Sequence, residues 1–118
     1  MLGVKVIFYD KADGTKPAEE FIAGLDKGMR AKLARAVIRL QDFGPLLRRP
    51  YSAPLGDGIF ELRAQFGSDI SRVLYFFIVN GRAVLTHGFI KKTEKTPPEE
   101  IERAKRYRAE YLKRRDTK

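Results

Sequence analysis

The stretch GDGIFELRAQFG, residues 56–67, and the stretch SRVLYFFIVNGRAVLTHGFIKKTEKTP, residues 71–97, decide the fold. In residues 59–66, Phe60, Leu62, Ala64 and Phe66 point one way, and Ile59, Glu61, Arg63 and Gln65 the other. A period of two with one apolar side marks a half-buried strand. Arg63 is therefore predicted on the open face of a sheet, on a rigid element. Residues 72–79 are apolar on both sides, which predicts a central strand covered on both sides over part of its length. Asn80-Gly81 is a strong hairpin signal, and the strand that follows, residues 83–90, ends in Lys91-Lys92. His87 is read on the same side of that strand as Leu85 and Phe89.

Upstream, residues 4–9 predict an opening strand closed by a turn at 10–14. A helix starts near Pro17, a favourable first helical residue because its missing N–H would lack an intrahelical partner anyway. Phe21, Ile22 and Leu25 form its inner side. A second helix, about 28–43, carries Met29, Leu33, Ala36, Val37 and Leu40 at three- and four-residue spacing, with Arg30, Lys32, Arg35 and Arg39 largely off that stripe. Gly44-Pro45 stops it. Residues 46–55 contain Pro50 and Pro54, so they form an edge strand or a loop, not a central strand. A final helix follows Thr96, whose side chain is expected to cap it while Glu99 reaches back. Ile101, Ala104, Tyr107, Tyr111 and Leu112 make its apolar side, and the tail from Arg114 is expected to fray. The order β-α-α-β-β-β-β-α, or the same with one fewer strand, is an α+β domain. Its largely antiparallel sheet carries helices on one face, with the other partly open.

The 118 residues are expected to form one domain, residues 1–118, and 43% hydrophobic content is enough for a core. Cysteine is absent, which excludes a disulfide scaffold and a thiolate metal site. The N-terminus lacks the apolar stretch of a signal peptide, and no segment approaches the ~20 apolar residues of a membrane span. A cytoplasmic protein is expected. Twenty-four Lys and Arg against fifteen Asp and Glu give a net charge of +9. A balance of that kind draws a small protein to nucleic acid, to anionic lipid or to an acidic protein partner.

A single histidine and no Gly-rich phosphate loop argue against triad, metalloprotease and nucleotide-triphosphate chemistry. Phosphate chemistry run by cations remains. Cleaving RNA needs no metal or other cofactor, because the ribose 2′-hydroxyl is already next to the scissile phosphorus. Arginine suits the developing phosphoryl charge through its planar fork, and lysine holds phosphate or moves protons if its pKa is lowered. Arg63, Arg72, Lys91 and Lys92 could supply such a set if the sheet brings the strand ends together. Arg63 could equally pair with Glu61, two residues along on the same face. Arg72 could merely flank the sheet, Lys91-Lys92 could be ordinary solvation, and His87 could be a satisfied core histidine.

Taken together, GDGIFELR, the 71–97 stretch and the basic helix EIERAKRYRAEY resemble the RelE/ParE superfamily of toxins from type II toxin–antitoxin modules. Within it they are most similar to the HigB-like, phage-derived branch. The most specific part is the series Leu62-Arg63, Arg72-Val73-Leu74-Tyr75 and Phe89-Ile90-Lys91-Lys92. The resemblance implies a RelE-like fold and a ribosome-dependent mRNA endonuclease, held inactive in a hetero-oligomer by an antitoxin with a helix-turn-helix domain. It implies phosphate binding and transition-state stabilisation by Arg63 and Arg72, and backbone holding or proton movement by Lys91 and Lys92. Arg48, Arg49, Arg82 and His87 are the further expected substrate contacts. Tyr107 or Tyr111 could take the place of a C-terminal aromatic platform, although the helix pattern marks both as packing residues. The histidine-rich sites of some HigB relatives are absent. Two other readings are a ParE-type gyrase inhibitor without nuclease activity and a simple basic RNA-binding domain. The latter would want exposed aromatics among its cations.

Overall fold

The computed structural model describes residues 3–91 and 95–116. Its elements run β1 (Lys5–Phe8), α1 (Pro17–Ala23), α2 (Lys27–Phe43), a 3-10 turn (Gly44–Leu46), β2 (Ser52–Gly56), β3 (Ile59–Phe66), β4 (Asp69–Ile78), β5 (Arg82–Lys91) and α3 (Pro98–Asp116). The strands form one sheet in the order β1-β5-β4-β3-β2. Only β1, which lies parallel to β5, departs from antiparallel pairing. The arrangement is α+β and compatible with a RelE-like fold.

Local chemistry accounts for these elements. Asn80 and Gly81 take φ values of 75° and 70°, the left-handed pair that a tight hairpin requires. The segment carrying Pro54 forms the edge strand β2, the place in a sheet where a missing N–H is tolerated. Helix α2 buries Met29, Leu33, Ala36 and Leu40, spaced four, three and four apart, against Leu62, Ala64, Val73 and Tyr75 of the sheet. Helix α1 lies on the same side, with Phe21 packed against that core.

The second face is not open. Helix α3 covers much of it, and Ala104, Tyr107 and Tyr111 close over Ile59, Leu74, Phe76 and Val84. Tyr9 stacks on Tyr107 with ring centroids 4.6 Å apart, and its hydroxyl donates to Glu110 at 2.7 Å. Helices thus lie on both faces, and this corrects the one-sided arrangement expected from sequence. The physical reason is that the centre of β4 is apolar on both sides, so each side demands a cover. Tyr107 and Tyr111 are packing residues, as the helix pattern suggested.

Three local expectations also change. Thr96 does not cap α3; its hydroxyl donates to Glu61 instead. Arg114 does not fray: it reaches the Asp10 carbonyl, lies 3.2 Å from Glu110 and sits over the Tyr9 ring. The third is a register shift in β5, where Leu74 faces His87 but Tyr75 faces Leu85, leaving Thr86 as an extra residue. Such a bulge reverses the alternation. Leu85 therefore joins the core under α1 and α2, whereas His87 faces α3.

Gly88, next on β5, returns to the α1 side. A Cβ there would fall 2.3 Å from the Phe21 ring, so α1 can dock only on a bare backbone. Gly88→Ala is expected to cost about 1–3 kcal/mol of stability, the usual range for overpacking, with part recovered by Phe21→Leu. Urea unfolding midpoints check this; an unchanged midpoint for Gly88→Ala would contradict the packing.

Candidate active site

Strand register brings the sequence-selected cations together on the α3 side of the sheet. Arg63 and Arg72 are direct partners across β3 and β4, and Phe89 of β5 completes their row. The next row outward is Gln65, Ile70 and Lys91, and the next inward is Glu61, Leu74 and His87. Directly opposed residues have Cα atoms about 5 Å apart. The two arginines therefore share one patch, and Lys91 lies two strands away from Arg63 at its rim.

A carboxylate determines what these arginines do. Glu61 is buried, with one oxygen 3.6 Å from Arg63 Nε and the other 3.8 Å from Arg72 Nε. The Thr96 hydroxyl donates to the oxygen nearer Arg72. Arg72 itself is fully buried, and its Nη1 donates to the Lys95 carbonyl at 3.3 Å. The connection into α3 thus lies over Arg72, while the Arg63 side chain keeps 14% of its surface. An isolated charge in such a place would be strongly disfavoured, and one carboxylate between two guanidinium groups offsets that cost. The ion pair of Arg63 with Glu61, one of its two sequence readings, is real, and Arg72 shares it. Arg72 is an internal strand residue and not a flank.

The remaining sequence candidates are placed more widely. Lys91 is exposed at the end of β5, and Lys92 lies outside the described residues. Arg48 and Arg49 are exposed beside a hollow lined by Phe60, Tyr75 and Phe77, on the α1–α2 side of the sheet. Arg82 begins β5, roughly 30 Å along the strand from Lys91 at ~3.3 Å per residue. The structure therefore joins Arg63, Arg72 and Lys91 but leaves Arg48, Arg49 and Arg82 apart from them. A feature not foreseen lies at the β3 edge. A groove of about 470 Å³ is lined there by Lys32, Arg35 and Arg39 of α2 together with Tyr51, Arg63 and Gln65. The signal was present in the sequence: positions 32, 35 and 39 fall on one helical face. Among the described residues, no group of three or more His, Asp or Glu side chains is arranged to hold a metal ion. No helix among them is long and apolar enough to cross a membrane.

His87 is a buried residue of the α3 contact. Its Nε2 lies 3.0 Å from Glu100 Oε1 and its Nδ1 3.1 Å from the Thr86 hydroxyl. Burial pushes the imidazole pKa below its ordinary 6.5, and Glu100 opposes that shift only in part. The neutral ring donates from Nε2 to Glu100, and the Thr86 hydroxyl is shared between Nδ1 and the Leu74 carbonyl. A histidine with a depressed folded pKa takes up its proton more readily in the unfolded chain, so acid favours unfolding. Stability is expected to fall as pH drops below about 6.5, and His87→Asn should flatten that dependence. Urea unfolding of both proteins from pH 7.5 to 5.5 checks it. Stabilisation of the wild type by acid over this range would show that the imidazolium–Glu100 attraction outweighs burial.

Comparison with known proteins fits this geometry. No curated protein matches the chain significantly. The family model described as "Phage derived protein Gp49-like (DUF891)" matches residues 20–109, from α1 through most of α3. That span holds the whole Glu61–Arg63–Arg72–Lys91 patch and the β3-edge groove. The chain belongs to this Gp49-like family of phage-derived proteins, a RelE/ParE-like toxin family.

Proposed function

We propose that this chain is the toxin of a type II toxin–antitoxin pair of the HigB-like kind, and that it cleaves mRNA on translating ribosomes in the cytoplasm. The observation that carries the reading is the cross-strand row of Arg63 and Arg72 with Lys91 at its rim. In the reaction, the 2′-oxygen attacks phosphorus in line and the P–O5′ bond breaks. The 2′-hydroxyl proton goes to a base and the 5′-oxygen gains one, leaving a 2′,3′-cyclic phosphate and a 5′-hydroxyl end. Arg63, the more exposed of the two arginines, stabilises the phosphoryl oxygens as their charge grows. Arg72 and Glu61 fix its position and tune the field from beneath. Lys91, with Lys92 beside it in sequence, holds the flanking backbone or moves a proton. The ribosome, by orienting the mRNA, supplies much of the alignment that a small shallow site lacks. A helix-turn-helix antitoxin is the proposed inhibitor, forming a hetero-oligomer with this chain.

A second reading is a ParE-type gyrase inhibitor without nuclease activity. It is favoured by one observation: Arg72 is fully buried, and both guanidinium groups already lie against the Glu61 carboxylate.

Arg63→Ala and Lys91→Ala discriminate between the two readings. Each is expected to lower the rate of mRNA cleavage on translating ribosomes by about 10²-fold, the scale of losing one positioned charge donor. The Lys91→Ala unfolding midpoint should stay near the wild-type value, whereas Arg63→Ala, which takes one partner from the buried Glu61 carboxylate, should lower it, with circular dichroism establishing that it is folded. Undiminished cleavage in both variants would remove the role assigned here, and intact mRNA alongside blocked DNA supercoiling would favour the gyrase reading.

A further inference from the structure

We propose that the groove at the β3 edge is a channel for single-stranded RNA. Lys32, Arg35 and Arg63 would hold phosphates, and the Arg39–Tyr51 pair would stack a base. That the ligand is RNA rests on the nuclease reading above; the groove itself follows from the fold. Edge strand β2 pairs with β3 only from Ile59 to Leu62, and the Arg63 N–H then takes the Tyr51 carbonyl at 2.8 Å. Beyond that point, among the described residues, no strand covers this side of β3, and α2 passes alongside. Lys32, Arg35 and Arg39 span about 10 Å of one helical face.

Four cations line the groove, and among the described residues no carboxylate does. Glu61 already lies against Arg63, but packing alone does not call for the three further cations on α2, whose mutual repulsion an entering anion would relieve. The groove is also more than a charged surface. The Arg39 guanidinium carbon lies 4.3 Å from the centre of the Tyr51 ring, so a flat cationic plane is already oriented on an aromatic support. Guanidinium and aromatic planes are the surfaces on which unpaired bases stack. A volume of about 470 Å³ lies in the usual size range of small-ligand pockets, enough for a nucleotide-sized group. Because Arg63 lines the groove and also belongs to the row with Arg72, a strand in the channel leads directly to the proposed cleavage patch.

Fluorescence anisotropy with a 5′-fluorescein, fully 2′-O-methylated RNA 10-mer tests this on the full chain, since that probe binds without being cut. Lys32→Ala/Arg35→Ala/Arg39→Ala is expected to weaken binding at least tenfold and to flatten its salt dependence. A control of equal charge on the exposed side chains Lys5→Ala/Lys11→Ala/Lys16→Ala should change affinity less than about threefold. Tyr51→Leu, which leaves every charge in place, should weaken RNA binding several-fold, with Tyr51→Phe restoring it. Neither Tyr51 variant should alter binding of a polyglutamate 10-mer. Circular dichroism establishes that each variant is folded. Equal losses in the two triple variants, no effect of Tyr51→Leu on RNA, or tighter binding of polyglutamate than of RNA would overturn the channel. Cleavage on ribosomes with RNA binding unchanged in the groove variant would overturn it while sparing the nuclease reading. Loss of RNA binding in the groove variant of a wild type that cuts no mRNA would support the channel and remove the nuclease.

Discussion

One buried carboxylate holds the candidate site in place. Glu61 sits beneath two arginines that the β3–β4 register sets side by side. Like charges that close would repel, and the Arg72 guanidinium would be costly to bury without a counter-charge. Glu61 meets both demands, and the Thr96 hydroxyl completes its coordination while tying the approach to α3 down over Arg72. One cluster therefore links sheet register, helix docking and the exposure of Arg63.

This arrangement divides the labour among the cations. Arg72 is a structural charge, sealed in and shaping the field. Arg63 shares the same carboxylate yet keeps an accessible edge, and Lys91 stands in solvent at the rim. Charges supported from beneath by a sheet are better pre-organised than charges on loops, which is the condition under which a cation stabilises a developing phosphoryl charge. The family assignment places the chain among RelE/ParE-like toxins. The ordered row of cations is what favours phosphate chemistry within that group.

Much of this was legible in the sequence. Period-two alternation in residues 59–66 put Arg63 and Glu61 on one side, Asn80-Gly81 fixed the hairpin, and the α2 stripe marked its buried face correctly. Other features depended on contacts between distant segments. A helix pattern does not say which face of a sheet the helix will cover, so the burial of Arg72 beneath the entry to α3 stayed hidden. The bulge at Thr86 moved His87 to the side opposite Leu85, a change that no alternation rule could register. The cations at 32, 35 and 39 were visible as one helical face. Their meeting with the edge of β3 follows only from β2 ending its pairing at Leu62.

The dependence of the site on Glu61 is tested most directly by the unfolding free energy of Glu61→Gln. The substitution keeps the shape and removes the charge. Removing the Glu61 charge from beside the buried Arg72 guanidinium should cost about 3–5 kcal/mol. A variant as stable as the wild type, or more so, would mean that the two arginines do not rely on this carboxylate, and the account of the site built on it would fail.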